Sequence, residues 1–487
     1  MNKFFKQISQ NLRAWILLIL LPLASSAEPL FRTLDLDLGE KIEVELIDGS
    51  RHVIQALDTR VKKDDLTGAV RETLVLVSIN KSRIWLVSGS YQLPVALNGI
   101  QIDCPVTNSL LQTTDRNAWS LEKDIRLRVW PANSNWITPG TFCYPLDHKL
   151  FASYTQMTNM PVALGTVPGK EQIYYHSGLD FGGCEGIHKV YSATNGYIVS
   201  VGENVPAELP PPVQPRYDVV YVRDSRGWYY RYSHLKEIDN RLKRGDSIRM
   251  GQEIGLMGKE GASGGWTHLH FAISSIMPSG KWGNQSAYPF IWEAYQQKYK
   301  PDVIAVARPD IIARVGEEVR LDGSRSWSRE KGIVSFEWEL SNGEKVLKPA
   351  VTITYNQPGF YSEILKVSDN QGNTDYDFAM VQVYGNESQV LPFMHAAHYP
   401  NQNIQSGEEI TFMVRTLRTD AIEEIWDFGD GSEQRKTKSL SADNHNPKGY
   451  AVVKHRYSQP GDYIVTIQAE SETGITGTAR LFVKVNP

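Results

Sequence analysis

Two similar stretches near the end of the chain place the strongest constraint on its fold. Residues 355–361 (YNQPGFY) and 457–463 (YSQPGDY) share a tyrosine at each end and a central Gln-Pro-Gly, and they lie 102 residues apart. The same offset is kept without a gap as far as Val383 and Val485. A repeat of this length and pattern predicts two tandem β-units, over residues 301–386 and 387–487.

The second copy is longer than the first. Trp338 and Trp426 occupy equivalent places but lie only 88 residues apart, so the second copy contains 14 additional residues, around Lys436 to Lys448. The run that begins at Trp426 (WDFGDG), together with the Pro-Gly turn, resembles PKD-type immunoglobulin-like domains, while the first copy departs from it (WELSNG). The resemblance implies β-sandwiches that act as spacers or weak polymer-binding units.

Several residues of these copies have simple interpretations. The carboxylates of Asp427 and Asp430 are predicted to accept turn-stabilising hydrogen bonds, in preference to binding calcium. His395 and His398, near the junction of the two copies, are interpreted as linker residues.

The first 27 residues have the pattern of a secretory signal. Lys3, Lys6 and Arg13 precede an apolar run over residues 14–23, which the small residues 24–27 follow. About ten apolar residues are too few to span a bilayer. We therefore expect an exported protein, periplasmic or extracellular, that does not span the membrane after signal removal. The net charge of −4 gives no sign of nucleic acid as a partner.

Residues 28–140 are expected to form a β-rich accessory domain without recognisable chemistry. Short alternating runs and Asp-Gly or Asn-Gly turns support this expectation. The chain has three cysteines, Cys104, Cys143 and Cys184, so at least one is unpaired unless chains cross-link. All three pairings are open. Cys104 with Cys143 is preferred, because Cys184 belongs to a glycine-rich loop near the candidate site.

Two histidines one residue apart, His268 and His270, mark that candidate site. The run from His268 to Ile273 predicts a strand, and its period-2 alternation places both imidazoles on one face and Leu269 and Phe271 on the other. The glycines between Gly251 and Gly265 permit a close backbone approach before this strand.

Three upstream residues are candidates for the same site. His176 and Asp180 lie four apart with glycine between and after them, and imidazole and carboxylate are both ligands that zinc accepts. His234 ends the second strand of a predicted hairpin, whose turn is Asp224–Gly227.

Taken in order, the motifs HSGLD (176–180), YSHL (232–235) and HLHF (268–271) resemble the LytM/lysostaphin-type zinc metalloendopeptidases. The resemblance covers about residues 145–285 and implies an antiparallel β-sheet metallopeptidase domain, placed over residues 141–300. It also implies one zinc ion per domain. The implied zinc ligands are His176, Asp180 and His270, and the implied catalytic residues are His234 and His268.

The resemblance implies hydrolysis of peptide bonds in peptidoglycan cross-links by a zinc-activated water. One non-ligand imidazole would take the proton of the water and the other would stabilise the oxyanion, and the sequence leaves open which does which. Two alternatives are an extracellular protease acting on Gly-rich proteins such as elastin or collagen, and a non-catalytic cell-wall scaffold or hydrolase activator. The expected partner is thus peptidoglycan or another extracellular peptide polymer.

Four features depart from the family pattern or lie outside it. The proline-rich segment 206–215 is expected to be a stiff loop that walls the groove. Cys184, four residues after Asp180, is interpreted as a loop thiol or disulfide partner in preference to a zinc ligand. Ala272 stands where family members often have an acidic residue. His148 and His188 match nothing and are interpreted as surface residues.

Overall fold

The structure is a computed structural model, and it describes residues 29–111, 118–158, 162–164, 172–330, 332–385, 389–418, 421–440 and 443–487. The secretory signal predicted over residues 1–27 lies outside these ranges. Strands dominate the described part of the chain, which contains two α-helices, one of them a single turn. The mostly β fold expected from the sequence is confirmed. No helix within these ranges is long and apolar enough to cross a membrane.

The first region forms two four-stranded antiparallel sheets with a shared core. Its elements are β1 (Arg32–Leu36), β2 (Lys41–Glu45), β3 (Arg51–Lys63), β4 (Val70–Ile79), β5 (Ser82–Gly89), β6 (Val95–Leu97), β7 (Ile100–Thr107), α1 (Asn108–Leu111) and β8 (Ile125–Pro131). The sheets have the orders β1-β8-β7-β6 and β2-β3-β4-β5. Alternate apolar residues of both sheets, such as Ile54 and Leu127, are fully buried in one cluster. This matches the expected β-rich region.

The central region contains the candidate site. Its elements are β9 (Val162–Leu164), β10 (Gln172–Tyr174), β11 (Leu179–Gly182), β12 (Lys189–Tyr191), β13 (Gly196–Val201), β14 (Val220–Arg223), β15 (Tyr229–Ser233), β16 (Leu235–Ile238), β17 (Ser247–Ile248), β18 (Glu253–Met257), β19 (His268–Ile276), β20 (Trp282–Gln285) and α2 (Tyr288–Tyr299). The main sheet is antiparallel, with the order β11-β19-β15-β14-β13-β17, and β20 also pairs with β19. Strands β14 and β15 form the predicted hairpin.

The alternation predicted for the His-x-His strand is confirmed. Leu269 and Phe271 are fully buried in the large apolar cluster of this region, which also contains the aromatic residues of α2. His268 and His270 point to the opposite face of β19. The apolar face therefore anchors the strand, and the other face is available for polar groups.

The last region contains the two repeats. The first repeat, residues 303–384, comprises β21 (Val303–Ile304), β22 (Ile311–Arg314), β23 (Glu318–Asp322), β24 (Trp327–Ser328), β25 (Ile333–Glu339), β26 (Lys345–Val346), β27 (Ala350–Thr354), β28 (Gly359–Asp369) and β29 (Thr374–Tyr384). The second repeat, residues 393–486, comprises β30 (Phe393–Tyr399), β31 (Ile404–Gln405), β32 (Ile410–Leu417), β33 (Ala421–Asp427), β34 (Arg435–Thr437), β35 (Ala451–His455), β36 (Gly461–Ser471) and β37 (Thr476–Asn486). A short parallel pairing of β28 with β37 joins the two repeats in one sheet.

The repeat visible in the sequence is also a repeat of structure. In the first copy the hydroxyl of Tyr361 donates to the carbonyl oxygen of Gln357, and in the second Tyr463 donates to Gln459, both at 2.9 Å. Each bond closes the Pro-Gly turn before a long strand. The carboxylate of Asp427 accepts the N–H of Gly429 at 2.9 Å, which is the turn bond expected of it.

The structure corrects the interpretation of four histidines. His148 and His188, expected at the surface, are fully buried, and their rings lie 5.5 Å apart. His395 and His398, expected in a linker, lie on β30 and are also fully buried. The physical reason is that β30 packs against the central region. The ring centroids of His188 and Tyr399 lie 5.2 Å apart. The strand thus covers histidines that would otherwise reach solvent.

The preferred disulfide is also wrong. Cys104, Cys143 and Cys184 are all free. Cys104 is buried in the core of the first region, whereas the Cys143 thiol contacts the carbonyl oxygen of Ser192 at 3.4 Å in the central region. The two expected partners therefore belong to different packing environments.

Candidate metal centre

Neighbouring strands bring the three predicted ligands together. Strands β11 and β19 pair antiparallel, and Asp180 lies directly opposite His270 in their register. Directly opposed residues on one face have Cβ atoms about 4.5–5.5 Å apart, so their side chains meet. His176 lies just before β11 and reaches the same point from the approach to that strand.

The donor atoms of these residues form a small triangle. His270 Nδ1 lies 3.0 Å from His176 Nε2 and 3.0 Å from Asp180 Oδ1, and His176 Nε2 lies 3.4 Å from Asp180 Oδ1. Three donors that bind zinc tetrahedrally at about 2.0–2.2 Å would lie about 3.3–3.6 Å apart. One of the observed distances lies within this range and the other two are about 0.3 Å shorter, so a small outward shift of the side chains would admit an ion of this size and leave a fourth position open. Within the described ranges, no other group of three or more His, Cys, Asp or Glu donors converges in this way.

The electrostatics of the triangle favour the forms that bind a metal. Burial by itself would raise the pKa of Asp180, but His176, His268 and His270 surround the carboxylate and hold its pKa well below the usual range. Burial lowers the pKa of His270 to about 3, against the opposing hydrogen bond to Asp180. A carboxylate and a neutral imidazole are the protonation states that metal coordination requires.

Glycine is required beside the ligands for steric reasons. A Cβ at Gly178 would lie 2.7 Å from Cε1 of His270 and 2.9 Å from the carbonyl oxygen of Phe271. Gly182, opposite His268 in the register of β11 and β19, would place a Cβ 2.5 Å from the carbonyl oxygen of Thr155. The glycines in and after the HSGLD motif thus keep space for the His270 imidazole and for the backbone at Thr155.

His268 adjoins the triangle without belonging to it. Its Nε2 lies 3.7 Å from Asp180 Oδ1, and its Nδ1 lies 3.1 Å from the carbonyl oxygen of Trp266. Because a carbonyl oxygen can only accept, Nδ1 carries the proton and Nε2 presents a lone pair toward the triangle. The Trp266 ring stacks on the imidazole at 3.9 Å. Burial lowers the pKa of His268 well below the usual range, so the ring is neutral.

His234 approaches from the end of β15. Its backbone has φ 66°, in the left-handed region that few residues other than glycine adopt. Its ring lies 4.6 Å from that of His268 and 6.1 Å from that of His270. Its Nδ1 lies 2.6 Å from the carbonyl oxygen of Glu260 and therefore donates to it, which again leaves Nε2 as an acceptor. An unusual backbone conformation at such a site indicates a functional constraint.

A buried carboxylate behind His234 was not found by sequence reasoning. Asp218 Oδ2 accepts the backbone N–H of His234 at 2.9 Å and lies 3.6 Å from its Nδ1. Arg216 pairs with the same carboxylate. Although burial raises the pKa of Asp218, the contacts with His234 and Arg216 hold it well below the usual range. The only signal in the sequence was an acidic residue directly before an apolar strand.

Two further features near the site have plain outcomes. The proline-rich segment 206–215 connects β13 to β14 without a strand or helix of its own, and Arg216 directly follows it. Cys184 is fully buried among Ala397, Met413 and Tyr450, outside the metal group. Burial raises the pKa of its thiol far above the usual range, so it is no source of a thiolate ligand.

Three parts of the chain match the profiles of known protein families. Residues 174–284 match the profile of Peptidase family M23, a range that includes all five predicted site residues. Residues 300–383 and residues 396–485 each match a profile described as PKD domain.

Individual relatives are more distant. The collagenase ColA of Clostridium perfringens (strain 13 / Type A) is 23% identical over 180 residues, which is 36% of this chain but only 16% of the collagenase. The structure of Helicobacter pylori Csd3 is 15% identical, with a TM-score of 0.20 over 50% of this chain and 82% of that one. Fibronectin(III)-like modules of Clostridium thermocellum CbhA are 13% identical, with a TM-score of 0.15 over 38% of this chain and 94% of that one. At such TM-scores neither structure bears on the site.

Proposed function

Since the chain carries a peptidase family M23 domain followed by two PKD domains, we propose that it is an exported zinc metalloendopeptidase that cuts the peptide cross-links of peptidoglycan. One observation carries the proposal: the donor atoms of His176, Asp180 and His270 converge to 3.0–3.4 Å, with two further buried imidazoles beside them. This is the constellation that metal-assisted hydrolysis requires.

The proposed metal is zinc, one ion in the domain, with His176 Nε2, Asp180 Oδ1 and His270 Nδ1 as its ligands. When bound, zinc would polarise the scissile carbonyl group and lower the pKa of a water molecule from about 15.7 to about 7. The part played by the protein is to keep the carboxylate ionised and the imidazole neutral. It also holds the three donors on paired strands, where little reorganisation is needed.

We propose that His268 orients the attacking water. Its Nδ1 proton is engaged by the carbonyl oxygen of Trp266, so Nε2 can only accept a hydrogen bond. The stacked indole of Trp266 restricts rotation of the ring and excludes solvent from one face. An acceptor in a restricted position selects one orientation of the water.

His234 is proposed to take the proton and to return it to the leaving amine. Asp218 lies 3.6 Å from its Nδ1 and stabilises the imidazolium that forms when Nε2 accepts a proton. No carboxylate other than the proposed ligand Asp180 forms an ion pair with His268 among the described contacts. This difference supports His234 as general base and acid, and His268 as the residue that positions the water.

The proposal is tested with the full chain and purified cell walls. Zinc-loaded protein is expected to release new amino groups from peptidoglycan and from short cross-bridge peptides. A chelator should abolish the release, and one equivalent of zinc should restore it. Zinc-loaded protein that releases no amines from any of these substrates would contradict the proposal.

A second candidate is a protease of Gly-rich proteins such as collagen or elastin. The similarity to a collagenase supports it, although the alignment covers only a small part of that enzyme. The proline-rich segment 206–215, which leads directly to Arg216 beside His234, could adapt the groove to an extended chain. Cleavage of protein fibres but not of cell walls would favour this candidate, and intact fibres would count against it.

We further propose that the chain is exported and acts in the periplasm or outside the cell. The charged, apolar and small-residue order of residues 1–27 supports this, and PKD domains are typical of extracellular proteins. Domain boundaries are proposed near residues 140, 300 and 386, and separate apolar clusters in the first region and in each repeat support them. A mature chain that begins at Glu28 outside the cytoplasm is the expected result of N-terminal sequencing. A cytoplasmic chain with residues 1–27 intact would contradict it.

A further inference from the structure

The second repeat packs against the loop that leads into β19. The hydroxyl of Tyr450 accepts a hydrogen bond from the backbone N–H of Thr267 at 2.7 Å. Arg415 Nη1 donates to the carbonyl oxygen of Gly265, also at 2.7 Å. Thr267 and Arg415 are fully buried, and Tyr450 is buried as well. A buried backbone group that loses its partner is costly, so these two bonds restrain the residues on either side of Trp266.

The additional segment of the second repeat takes part in this contact. Arg415 also donates to the carbonyl oxygens of Leu440 at 3.0 Å, of Asn444 at 2.9 Å and of Asp443. These carbonyls belong to the residues that the second repeat has in excess of the first. Gly265 has φ +84°, and a Cβ there would lie 2.6 Å from Oδ1 of Asn444. The inserted segment and the backbone at Gly265 are thus in close contact, and Arg415 donates hydrogen bonds to both.

His395 holds the chain on the other side of the metal group. Its Nε2 lies 3.1 Å from the carbonyl oxygen of Gly183 and donates to it, which leaves Nδ1 to accept from Thr155 Oγ1 at 2.9 Å. Gly183 directly follows the strand that carries Asp180. The His395 ring also lies 5.3 Å from the Trp266 ring, whose centroid is 3.9 Å from that of His268. Trp266 therefore contacts both the second repeat and a proposed catalytic histidine.

We infer that the second repeat is a built-in part of the peptidase site, with Tyr450, Arg415 and His395 as positioning residues. Tyr450 and Arg415 fix the backbone around Trp266, and His395 borders its ring. Through the ring and the carbonyl oxygen of Trp266 they fix the orientation and tautomer of His268. The inference rests on the proposed function. A detachable polymer-binding module would have no buried hydrogen bonds to the catalytic loop.

The test compares two variants that each remove one oxygen atom from the second repeat of the full zinc-loaded chain. Tyr450→Phe removes the acceptor of the Thr267 N–H. Tyr463→Phe is the matched control, because its hydroxyl bonds at 2.9 Å to Gln459 within the repeat. Amide hydrogen exchange is measured on peptides that cover residues 259–271, together with kcat and KM on a short peptide and zinc content.

Tyr450→Phe is expected to speed amide exchange in residues 265–268 about tenfold. Local opening of the loop would no longer have to break the hydrogen bond from the Thr267 N–H to Tyr450, so it would occur more often. It should lower kcat about tenfold with KM and zinc content unchanged, since a loosened Trp266 misplaces His268 but not the ligands. Tyr463→Phe should match the wild type in exchange, kcat and zinc content.

Three outcomes are decisive. Equal exchange and equal kcat in the two variants would overturn the inference, and so would a fall in kcat that follows a loss of zinc. A wild-type chain that cleaves nothing, while Tyr450→Phe alone speeds exchange, would overturn the proposed function and support the contact with the loop.

Discussion

The two sides of the candidate metal centre are held by different means. On one side, Asp180 and His270 face each other across a pair of hydrogen-bonded strands, and their side chains contact directly. On the other side, His234 and His268 are oriented by backbone carbonyl oxygens of the loop over residues 258–267. Strand register positions the side chains of the first side, whereas on the second side the orientation of both imidazole rings also depends on the loop. This predicts that the two sides respond differently to substitution.

The loop itself depends on the rest of the molecule. Tyr450 and Arg415 of the second repeat bond to its backbone, whereas the bonds of the first repeat to the central region go elsewhere, as from Arg308 to the carbonyl oxygens of Ser153 and Met157. Two copies of one fold thus support different parts of the central region. Similarity of fold does not imply similarity of role.

The largest effect is expected on the ligand side. Substitution of His270 or Asp180 by alanine should lower zinc affinity by more than about 100-fold and abolish peptide hydrolysis, because two donors cannot replace three. Zinc content after dialysis and turnover on cell walls are the measurements. His445→Ala, an exposed histidine of the second repeat, is the control and should retain both. Retention of stoichiometric zinc by His270→Ala would refute the ligand assignment.

The next effect is expected on the loop side. His268→Ala should retain zinc and lower kcat by about 10²-fold or more, because the attacking water loses the acceptor that orients it. Zinc content and kcat measured on one preparation separate the two sides of the site. If His268→Ala loses zinc as readily as His270→Ala, the division between ligands and catalytic residues is wrong.

A smaller effect is expected behind His234. Asp218→Asn retains the shape of the side chain but removes the charge beside Nδ1 and should lower kcat about 10- to 100-fold with zinc content unchanged. Asp239→Asn, whose carboxylate pairs with Arg241 away from the site, should leave kcat unchanged. Equal kcat in the two variants would show that Asp218 does not act through His234.

The smallest effect at neutral pH is expected on the folding stability supplied by histidines at the contact between the second repeat and the central region. This loss of stability grows as the pH falls. Burial lowers the pKa of His148 and His398 to about 3 and that of His395 to about 4, where the bond to Gly183 opposes burial and Arg415 reinforces it. Histidine in an unfolded chain has a pKa of about 6.5. Below this pH the unfolded chain therefore binds protons at these histidines, whereas the folded chain does not. The contribution of these buried neutral histidines to folding stability is therefore fully present above pH 6.5 and is lost as the pH falls toward 4.

At pH 5 the free energy of unfolding should be lower by about 2 kcal/mol for each of these histidines. The melting temperature at pH 7.5 and at pH 5 is the measurement. His398→Leu removes two buried ring nitrogens that lack hydrogen-bond partners, so its melting temperature should depend less on pH than that of the wild type. His445→Leu, at an exposed position, should retain the wild-type dependence. Equal pH dependence of His398→Leu and the wild type would contradict the prediction.

The parts of the site that the sequence predicted are those set by local spacing. Period-2 alternation placed His268 and His270 on one face of a strand, because adjacent side chains of a strand must point to opposite sides. The four-residue spacing of His176 and Asp180, with glycine between and after them, made both residues candidates for one metal site. These features depend on a few neighbouring residues, and the structure agrees with each of them.

The parts that were missed depend on distant segments. Asp218 carries no motif, and its importance arises because it lies opposite the turn that contains His234. His188 and His395 looked like surface and linker residues, because nothing near them in sequence shows that one repeat packs on the other region. Burial is a property of the contact between segments about 200 residues apart, and no local pattern encodes it.

The sequence by itself determined the strand class and the two repeats, which follow from periodicity and the spacing of turns. The order of its motifs resembled a family whose pattern implied the five candidate site residues. Only the tertiary structure decided that the donors lie 3.0–3.4 Å apart, that Asp218 stands behind His234, and that the second repeat borders the site. The physical reason is that periodicity sets which way a side chain points, while the distance between two side chains depends on how separate sheets pack.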